Sequence, residues 1–290
     1  MKKAALILTS DWHARDTFPI CRTDNFEETL WKKMDFVKAL QEKHNCDIIH
    51  GGDLFHHWKP SPYLISKMIE HLPKRFFSIY GQHDLPQHNF EARDKSGIHV
   101  LEKAGALTVL PGVHWNGIPT DSDYIKIKGD EITRKILVWH KMVWKGKRPW
   151  PGCTDPSAVA MLRKYKQVDI ILTGDNHQAF IEEYEGRIHV NPGSLTRQSA
   201  GQIDFEPRVY LYFAESNTVE AVFLPIEREA VSRSHIEKDE KRTERIGAFI
   251  EKIDGNWEAS MSFENNLTEF FKINQTLSSV KDIIYKAIEI

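Results

Sequence analysis

The sequence predicts an α/β fold in which two mixed β-sheets pack face to face between layers of helices. Three observations lead to this prediction. Short continuous apolar runs alternate with amphipathic segments along much of the 290-residue chain. Turn residues separate further short strand-like runs in its middle part. Hydrophobic residues make up 41% and charged residues 28%, as in globular proteins. The length suits one large or two modest domains.

The first third of the chain reads as alternating strands and helices. Buried strands are predicted at residues 4–9, 47–50 and 76–80, because each is a short apolar run. Helices are predicted at residues 25–44 and 61–72, where apolar side chains recur at helical spacing. A strand–helix–strand–helix–strand order implies parallel strands joined by crossover helices.

The middle of the chain changes character. Residues 106–128 contain the strand-like runs ALTVL, VHWNGI and DYIKIK between turn residues, which predicts antiparallel strands. An apolar strand at 135–139 is followed by a helix at 155–166 and a strand at 169–172. Four more strands are predicted at residues 179–184, 187–190, 207–214 and 218–226.

The last part of the chain differs from the rest. Residues 1–228 are predicted to form the layered α/β domain. Residues 229–290 begin with a run dense in both charge signs and continue with amphipathic patches. We therefore predict a charged linker followed by a small helical or α+β appendage, serving as a cap or as a docking element for a partner.

Composition excludes several classes of protein. There are 14 His but only 3 Cys, and the cysteines lack C-x-x-C spacing, which excludes a disulfide framework and a thiolate zinc site. The formal net charge of -2 provides no bulk positive field for nucleic acid, so any such contact is local. The apolar run near the N-terminus is too short for a signal peptide, and no run reaches the ~18 apolar residues of a membrane helix. With few cysteines, the expectation is a cytoplasmic protein without membrane association.

Polar residues follow five of the predicted strands. They are Asp11 and His13, Asp53, His83 and Asp84, His140, and Asp175 and His177. Each alone is an ordinary polar residue at the start of a loop. Together they point to a site, because ligands bind at the carboxyl ends of the strands in α/β sheets. Carboxylates and imidazoles can hold divalent cations without thiolates.

These residues carry a resemblance to a known family. The chain resembles the calcineurin-like metallophosphoesterases through Asp11-x-His13, Gly52-Asp53, Gly81-Gln82-His83-Asp84, His140 and Gly174-Asp175-Asn176-His177. It is also similar to the DNA-repair nuclease branch, whose bacterial member is SbcD, through Gly52-Asp53-Leu54-Phe55-His56, Pro60-Ser61-Pro62 and Asn191-Pro192-Gly193-Ser194. The resemblance covers about residues 4–226 and implies a four-layer α/β/β/α sandwich.

The resemblance implies two divalent cations. The first would be held by Asp11, His13, Asp53 and His177. The second would share Asp53 and add Gln82, His140 and Asp175. Two cations on one phosphodiester neutralise its charge and activate a water. His83 would contact the phosphate and protonate the leaving oxygen with Asp84 orienting its ring, and His56 would be a second histidine on the phosphate side.

Two positions depart from the family pattern. The family usually has Asn where Gln82 stands and His where Asp175 stands. Both residues retain an oxygen donor, which favours Mn²⁺, or else Mg²⁺, at the second site. The plainer interpretation is a weakened second site or a one-metal enzyme. Because the family has His there, the sequence also predicts that Asp175→His retains or raises activity.

Local features bear on the substrate. The arginine that follows the Gly-Asp motif in related phosphoprotein phosphatases is absent, which favours a diester. A basic segment after His140 contains Lys141, Lys145, Lys147 and Arg148 with Trp144 and Trp150 between or beside them. Its lysines and Arg148 would contact DNA phosphates and a tryptophan would stack on an unpaired base. The alternative is a solvated loop with packed tryptophans. Arg15, Lys59 and Arg197 are further candidates for substrate binding.

The sequence thus predicts a metal-dependent DNA phosphodiesterase, an exonuclease or endonuclease. Two alternatives stay open: a phosphodiesterase acting on a small substrate such as a cyclic nucleotide, and a catalytically weak binding scaffold. The partners that the resemblance implies are DNA, an SbcC-like P-loop ATPase bound through the C-terminal segment, and a second copy of the chain.

Overall fold

The structure, a computed structural model, describes residues 3–128, 132–254 and 263–288. The chain divides into two compact units, Met1–Ser232 and Arg233–Ile290. The division falls four residues beyond the boundary at 228 that the sequence predicts. The functions of the two units stay predictions.

Two mixed sheets form the centre of the first unit. The described residues contain eleven strands: β1 (Leu6–Thr9), β2 (Asp47–His50), β3 (Phe76–Ser78), β4 (Thr108–Val109), β5 (Tyr124–Lys128), β6 (Thr133–Trp139), β7 (Ile170–Thr173), β8 (Phe180–Tyr184), β9 (Arg187–Asn191), β10 (Arg208–Phe213) and β11 (Thr218–Phe223). The first sheet has the order β11-β10-β1-β2-β3-β4 and the second has the order β5-β6-β7-β9-β8. Strands β1 to β4 are mutually parallel, as are β6, β7 and β9. The remaining strands pair antiparallel at the sides.

Four helices flank these sheets. They are α1 (Phe26–His44), α2 (Pro62–His71), α3 (Gly97–Lys103) and α4 (Ala158–Lys164). Each begins after a residue whose side-chain oxygen accepts a hydrogen bond from the backbone N–H three residues on: Asn25, Ser61, Ser96 and Ser157. These caps satisfy N–H groups that the first turn of a helix leaves without partners, so the sequence sets where each helix starts.

The layers follow from the alternation of side chains along the strands. In β1, Ile7 packs with the helices α1 to α3, whereas Leu6 and Leu8 pack between the sheets. In β6, Val138 faces the same inter-sheet core, whereas Leu137 packs with α4. Because successive strand residues point to opposite faces, continuous apolar runs are needed where both faces are buried. The predicted four-layer sandwich is confirmed.

The middle of the chain is where the predictions fail most. Strand β4 runs parallel to β3 and is not antiparallel. In the predicted run VHWNGI, only Val113 makes an isolated bridge, to Trp139. Helix α3 was not predicted, because a seven-residue helix carries too short an apolar pattern to recognise.

The second unit is helical. Its helices are α5 (Ser234–Asp254), α6 (Phe263–Ile273) and α7 (Ser278–Ile288). The segment predicted as a charged linker is helical from Ser234 onward, because Glu, Lys and Arg have high helix propensity even without an evident apolar face. The rings of Phe271 and Tyr285 join α6 to α7 with centroids 5.6 Å apart. Residues 255–262 and 289–290 of the predicted appendage lie outside the described residues. None of the described helices is long and apolar enough to cross a membrane.

Candidate active site

The carboxyl ends of β1, β2, β3, β6 and β7 meet at one edge of the two sheets. Ligand atoms of Asp11, His13 and His177 lie within 4.8 Å of one another, as do those of Asp11, Asp53 and His140. These five residues follow four separate strands, β1, β2, β6 and β7, so only the folded sheets bring them together. The structure therefore brings these five predicted residues together, whereas Asp175 belongs to neither group.

The backbone is strained where these strands end. Asp11, His13, Asp53 and Asp175 have φ angles of 51°, 44°, 57° and 73°, in the left-handed region. Asp, Asn and His adopt this region more readily than most residues, but at a cost. Backbone hydrogen bonds from Asp11 N–H to the Gly52 carbonyl and from His13 N–H to the Asp53 carbonyl hold the first two loops together.

Two glycines allow the loops to approach the ligands closely. Gly52 has a φ of 97°, and a Cβ there would lie 2.5 Å from His140 Nδ1. A Cβ on Gly81 would overlap the Asp53 carboxylate and the Asp53 backbone nitrogen. Glycine is thus needed beside both residues for steric reasons.

The predicted first cation site is a compact group. His13 Nε2 lies 3.0 Å from His177 Nε2, 3.6 Å from Asp53 Oδ2 and 3.9 Å from Asp11 Oδ1. Asp11 is fixed by the Ser10 hydroxyl, which donates to Oδ2 at 2.6 Å, and by the Asp175 backbone N–H, which donates to Oδ1 at 3.0 Å. The side chain of His177 is 42% exposed, so the group opens to solvent on its side.

His140 is oriented with one nitrogen toward Asp53. Its Nδ1 donates to the Gly51 carbonyl at 2.7 Å, which fixes the tautomer and leaves Nε2 3.3 Å from Asp53 Oδ2. Burial alone would lower the pKa of His140, but the Asp53 carboxylate raises that pKa to about 10. A cation that takes Nε2 therefore has to displace a firmly held proton.

The two departures from the family pattern contact each other. Gln82 Nε2 donates to Asp175 Oδ1 at 2.6 Å. Gln82 Oε1 is buried and forms no hydrogen bond among the described residues. Two of the four predicted ligands of the second site are thus hydrogen-bonded to each other.

His56 and His83, the two histidines predicted on the phosphate side, stack beside this cluster. The rings of His56 and His83 have centroids 5.5 Å apart at 20°, and the His83 ring lies 4.8 Å from that of His13. His83 Nδ1 donates to the His56 carbonyl at 2.9 Å, which directs its other nitrogen away from that loop. Burial, then Arg15 and His83, lower the pKa of His56 to about 4, so its imidazole is neutral at neutral pH.

The predicted role of Asp84 is wrong. Its carboxylate accepts hydrogen bonds from the backbone N–H groups of Leu54, Phe55 and Gly81 at 2.9–3.2 Å, and the His56 carbonyl orients His83 instead. Burial, with the nearby Asp53 charge, raises the pKa of Asp84 to about 7. Asp84 therefore ties the loop after β2 to the loop after β3.

The donor set fits divalent cations. Gln82 Oε1 is a buried acceptor without a hydrogen bond among the described residues, and Asp53 Oδ2 is paired only by charge, with His140 Nε2 at 3.3 Å and His13 Nε2 at 3.6 Å. Burial raises the pKa of Asp11, whereas His140 and His13 outweigh burial and lower the pKa of Asp53. Buried acceptors without partners are costly unless a ligand completes them. The residues of both predicted sites would hold such cations through carboxylate, carbonyl and imidazole donors.

Cavities flank the cluster on two sides. One of about 400 Å³ is lined by Arg15, His56, His57 and Lys59 among others. A second, of about 460 Å³, is lined by Trp115, Asn116, Lys141, Met142, Trp150, Asp155 and Asp175. A third, of about 480 Å³, contains Met142, Trp144, Lys145 and Lys147 in its lining.

The predicted basic residues fall into three groups. Arg15, Lys59 and Lys147 line cavities. Lys145 also lines a cavity, but its ammonium group donates to the Ile181 carbonyl at 2.6 Å and pairs with Glu182 at 3.3 Å. Arg148 is exposed in the loop after β6.

The predicted substrate contact of Arg197 is wrong. Its side chain is buried, and its guanidinium donates to the carbonyls of Ile203 and Glu227. Its own carbonyl accepts from Arg22 at 3.0 Å. These bonds tie the segment after β9 to the end of the first unit, so the role of Arg197 is structural.

Several residues that support the site were missed or left unassigned. Gln198 Nε2 donates to the His13 carbonyl at 3.1 Å, which steadies the first loop. His50 Nδ1 accepts from Gly52 N–H at 3.3 Å, and burial lowers its pKa to about 3, so it stays neutral. Trp115 lies in the run VHWNGI, which predicts a strand. That pattern gives no indication that Trp115 lines the same cavity as Asp175.

One curated relative and two solved structures indicate what the chain is similar to. It is 27% identical over 212 residues to the DNA double-strand break repair protein Mre11 of Archaeoglobus fulgidus, and the match covers 58% of this chain and 46% of that protein. The chain thus spans under half the length of this relative. An archaeal phosphodiesterase matches with a TM-score of 0.43 and 17% identity, covering 76% of this chain and 99% of that one. A 5'-nucleotidase of Staphylococcus aureus matches with a TM-score of 0.44 and 13% identity, covering 81% of this chain and 57% of that one.

The family of the chain is shown by a match to a family model. Residues 5–210 match the calcineurin-like phosphoesterase superfamily domain, which is more than half of the chain. The matched segment contains every residue of the clustered strand ends described above. The chain therefore belongs to the calcineurin-like phosphoesterase superfamily and is a hydrolase of phosphoester bonds.

Proposed function

We propose that this protein is a metal-dependent DNA phosphodiesterase that accepts an unpaired nucleotide beside a dinuclear Mn²⁺ or Mg²⁺ site. The observation that carries the proposal is the 460 Å³ cavity, in which Trp115 and Trp150 lie beside Asp175. Aromatic side chains stack on bases of any sequence, and the cavity volume suits a nucleotide. The similarity to an archaeal DNA repair protein supports DNA as the substrate.

The chain's own residues account for the steps of hydrolysis. When bound, the two cations supply positive charge at the phosphate and acidify a water for in-line attack. Asp11, Asp53 and His140 stay fixed by their hydrogen bonds to neighbouring groups, so little reorganisation is needed as charge develops. His83, held at Nδ1 by the His56 carbonyl, donates a proton from Nε2 to the leaving oxygen. Neutral His56 stacks on the His83 ring and limits its rotation.

The cavity on the other side would hold the rest of the strand. Arg15 and Lys59 line the 400 Å³ cavity next to His56. Their charges would contact the phosphate adjacent to the scissile one. Since the chain has a formal net charge of -2, such local cations and the bound metal ions carry most of the attraction for DNA.

The experiment is a cleavage assay on linear single-stranded and double-stranded DNA with Mn²⁺, together with a small chromogenic phosphodiester and a cyclic nucleotide. Wild type is compared with Asp53→Ala, His83→Ala and Trp150→Ala. We expect Trp150→Ala to raise KM for DNA about tenfold and to leave small-diester hydrolysis unchanged. Phe223→Ala, which removes an exposed aromatic side chain on β11, is the matched control.

The outcomes separate the alternatives. Cleavage of the small diester or the cyclic nucleotide without cleavage of DNA would identify a small-substrate enzyme. Activity that is no lower in Asp53→Ala than in wild type would identify a binding scaffold with a contaminating hydrolase. His83→Ala is expected to lose about 10²-fold or more in rate while it still binds Mn²⁺.

We also propose that the second unit docks an SbcC-like P-loop ATPase. Ile273, Leu277, Val280 and Ile283 are exposed on α6, α7 and the turn between them. A row of exposed apolar side chains on amphipathic helices suits a partner groove. Co-expression with such an ATPase is expected to give a complex that Leu277→Asp and Ile283→Asp abolish. Sedimentation of the protein alone would detect a homodimer instead.

A further inference from the structure

We propose that Gln82 and Asp175 work as one coupled unit that sets the cation preference of the second site. The Asp175 carboxylate fixes the orientation of the Gln82 amide, which leaves the amide oxygen free for the cation. This inference rests on the two-cation site of the proposed function, but it concerns cation binding and not the substrate.

The hydrogen bond defines which way the amide faces. A carboxylate only accepts hydrogen bonds, whereas a glutamine amide donates from nitrogen and accepts at oxygen. The 2.6 Å contact between the Gln82 side chain and Asp175 Oδ1 therefore has to use the amide nitrogen. Gln82 Oε1 is turned away from Asp175 and is buried without a hydrogen bond among the described residues. A buried carbonyl oxygen without a hydrogen bond is well suited to coordinate a hard cation.

The sizes of the two side chains are matched. Gln82 is one methylene longer than the asparagine of the family pattern, and Asp175 is shorter than the histidine of that pattern. The longer amide reaches the shorter carboxylate across the space between the loops after β3 and β7. With Gln82→Asn alone the amide falls short of Asp175, and with Asp175→His alone the longer amide meets an imidazole. The two departures thus depend on each other.

The pair also changes the chemistry of the donor set. The predicted second site would take the carboxylates of Asp53 and Asp175, the carbonyl of Gln82 and one imidazole, from His140. Such oxygen-rich sets favour Mn²⁺ and Mg²⁺, whereas additional imidazole favours Zn²⁺. The hydrogen bond also revises the expectation from sequence that Asp175→His alone retains activity, because that change removes the group that orients Gln82.

The test is a double-mutant cycle read by calorimetric titration of metal-free protein with Mn²⁺. Wild type, Gln82→Asn, Asp175→His and the double variant are compared. Each single change is expected to weaken the second Mn²⁺ about 10-fold to 100-fold. The double variant is expected to recover Mn²⁺ binding to within about threefold of wild type and to bind Zn²⁺ more tightly than wild type does. The first Mn²⁺ serves as an internal control, because its ligands are unchanged.

Independent effects would overturn the proposal. If the loss in the double variant equals the product of the two single losses, the pair is not coupled. Histidine tolerates the left-handed φ of 73° at position 175, and melting of each variant in EDTA checks that it folds.

A second cycle avoids histidine altogether. In an Asp175→Ala background, Gln82→Asn is expected to cost less than about threefold in Mn²⁺ affinity, against tenfold or more in wild type. Equal losses in both backgrounds would contradict the coupling. Because no DNA enters these titrations, failure of the proposed nuclease activity and failure of this inference are distinguishable.

Discussion

The two ends of the same parallel strands are built in opposite ways. At the carboxyl edge, Gln82 Oε1 is buried without a hydrogen bond among the described residues, and Asp53 Oδ2 is paired only by charge, with His140 Nε2 at 3.3 Å and His13 Nε2 at 3.6 Å. At the amino edge, Asp169 Oδ2 accepts the Lys135 backbone N–H at 2.8 Å, and Oδ1 accepts from Arg134 at 3.0 Å. The first edge thus leaves polar atoms without hydrogen bonds, and the second edge supplies them.

The difference separates the candidate binding edge from a structural edge along one set of strands. Buried groups without hydrogen bonds and predicted ligand residues with a left-handed backbone each cost free energy in the metal-free protein. Such costs are tolerated where a ligand is to be held in a defined geometry. The same change of side chain should therefore have a large effect on activity at the carboxyl edge and none at the amino edge.

The largest effect is expected from Asp53→Asn. Asparagine still accepts the His83 backbone N–H that Asp53 Oδ1 accepts at 2.9 Å, so the loop keeps its hydrogen bond. The charge shared by both cation sites is lost, and phosphodiester hydrolysis is expected to fall by about 10³-fold or more. The measurements are cleavage rate and the number of Mn²⁺ bound per chain.

The free energy of unfolding in EDTA is expected to fall in this variant as well. The charges of His140 and His13 outweigh burial and lower the pKa of Asp53, and Asp53 raises the pKa of His140, so this buried pair stabilises the metal-free protein. Retained Mn²⁺ stoichiometry with full activity would contradict a shared role for Asp53. Unchanged stability in EDTA would show that the pair does not stabilise the fold.

Gly81→Ala is expected to cost about 10²-fold in activity at the same edge. The added methyl group would overlap the Asp53 carboxylate, and Asp53 would have to move. Gly201→Ala is the matched control, because its Cβ would meet only Ser199 Oγ, at 3.9 Å. Equal activities of the two variants would show that the position of Asp53 is not critical.

These contrasts also explain how much the sequence could predict. Asp11, His13 and His140 were predictable, because each closely follows an apolar run and the carboxyl ends of parallel strands share an edge. The bond between Gln82 and Asp175 was not predictable, because 93 residues separate them and it exists only where the two sheets meet. Arg197 looked like a surface cation, because the carbonyls that bury its charge lie in later segments.

A smaller effect is expected from His189 in β9, on the free energy of unfolding and only at acidic pH. Burial lowers the pKa of His189 to about 3, below its unfolded value near 6.5. The unfolded chain therefore binds more protons between these pH values, and stability is lost as the pH falls below about 6.5. At pH 5 the loss is about 2 kcal/mol for this single group.

His189→Gln removes this titration while offering a partner to Thr173, whose hydroxyl oxygen lies 2.9 Å from His189 Nε2. Urea unfolding at pH 7 and pH 5 is expected to show about 2 kcal/mol less acid destabilisation in the variant than in wild type. His88→Asn, which removes an exposed imidazole, should behave like wild type. If the free energy of unfolding depends on pH in the same way in His189→Gln and in wild type, His189 does not cause the loss of stability in acid.

The smallest effect is expected from Asp169→Asn, which makes at the amino edge the same chemical change as Asp53→Asn makes at the other. Asparagine keeps an oxygen for the Lys135 N–H but loses the charge that pairs with Arg134, whose side chain is partly buried. Because partly exposed ion pairs are weak, the free energy of unfolding should fall by only about 1 kcal/mol. Cleavage rate and Mn²⁺ binding should stay at wild-type values, since Asp169 lies at the opposite end of β7 from Asp175. Should Asp169→Asn lower the cleavage rate as strongly as Asp53→Asn, the two edges are not functionally distinct, and the strained carboxyl edge needs another explanation.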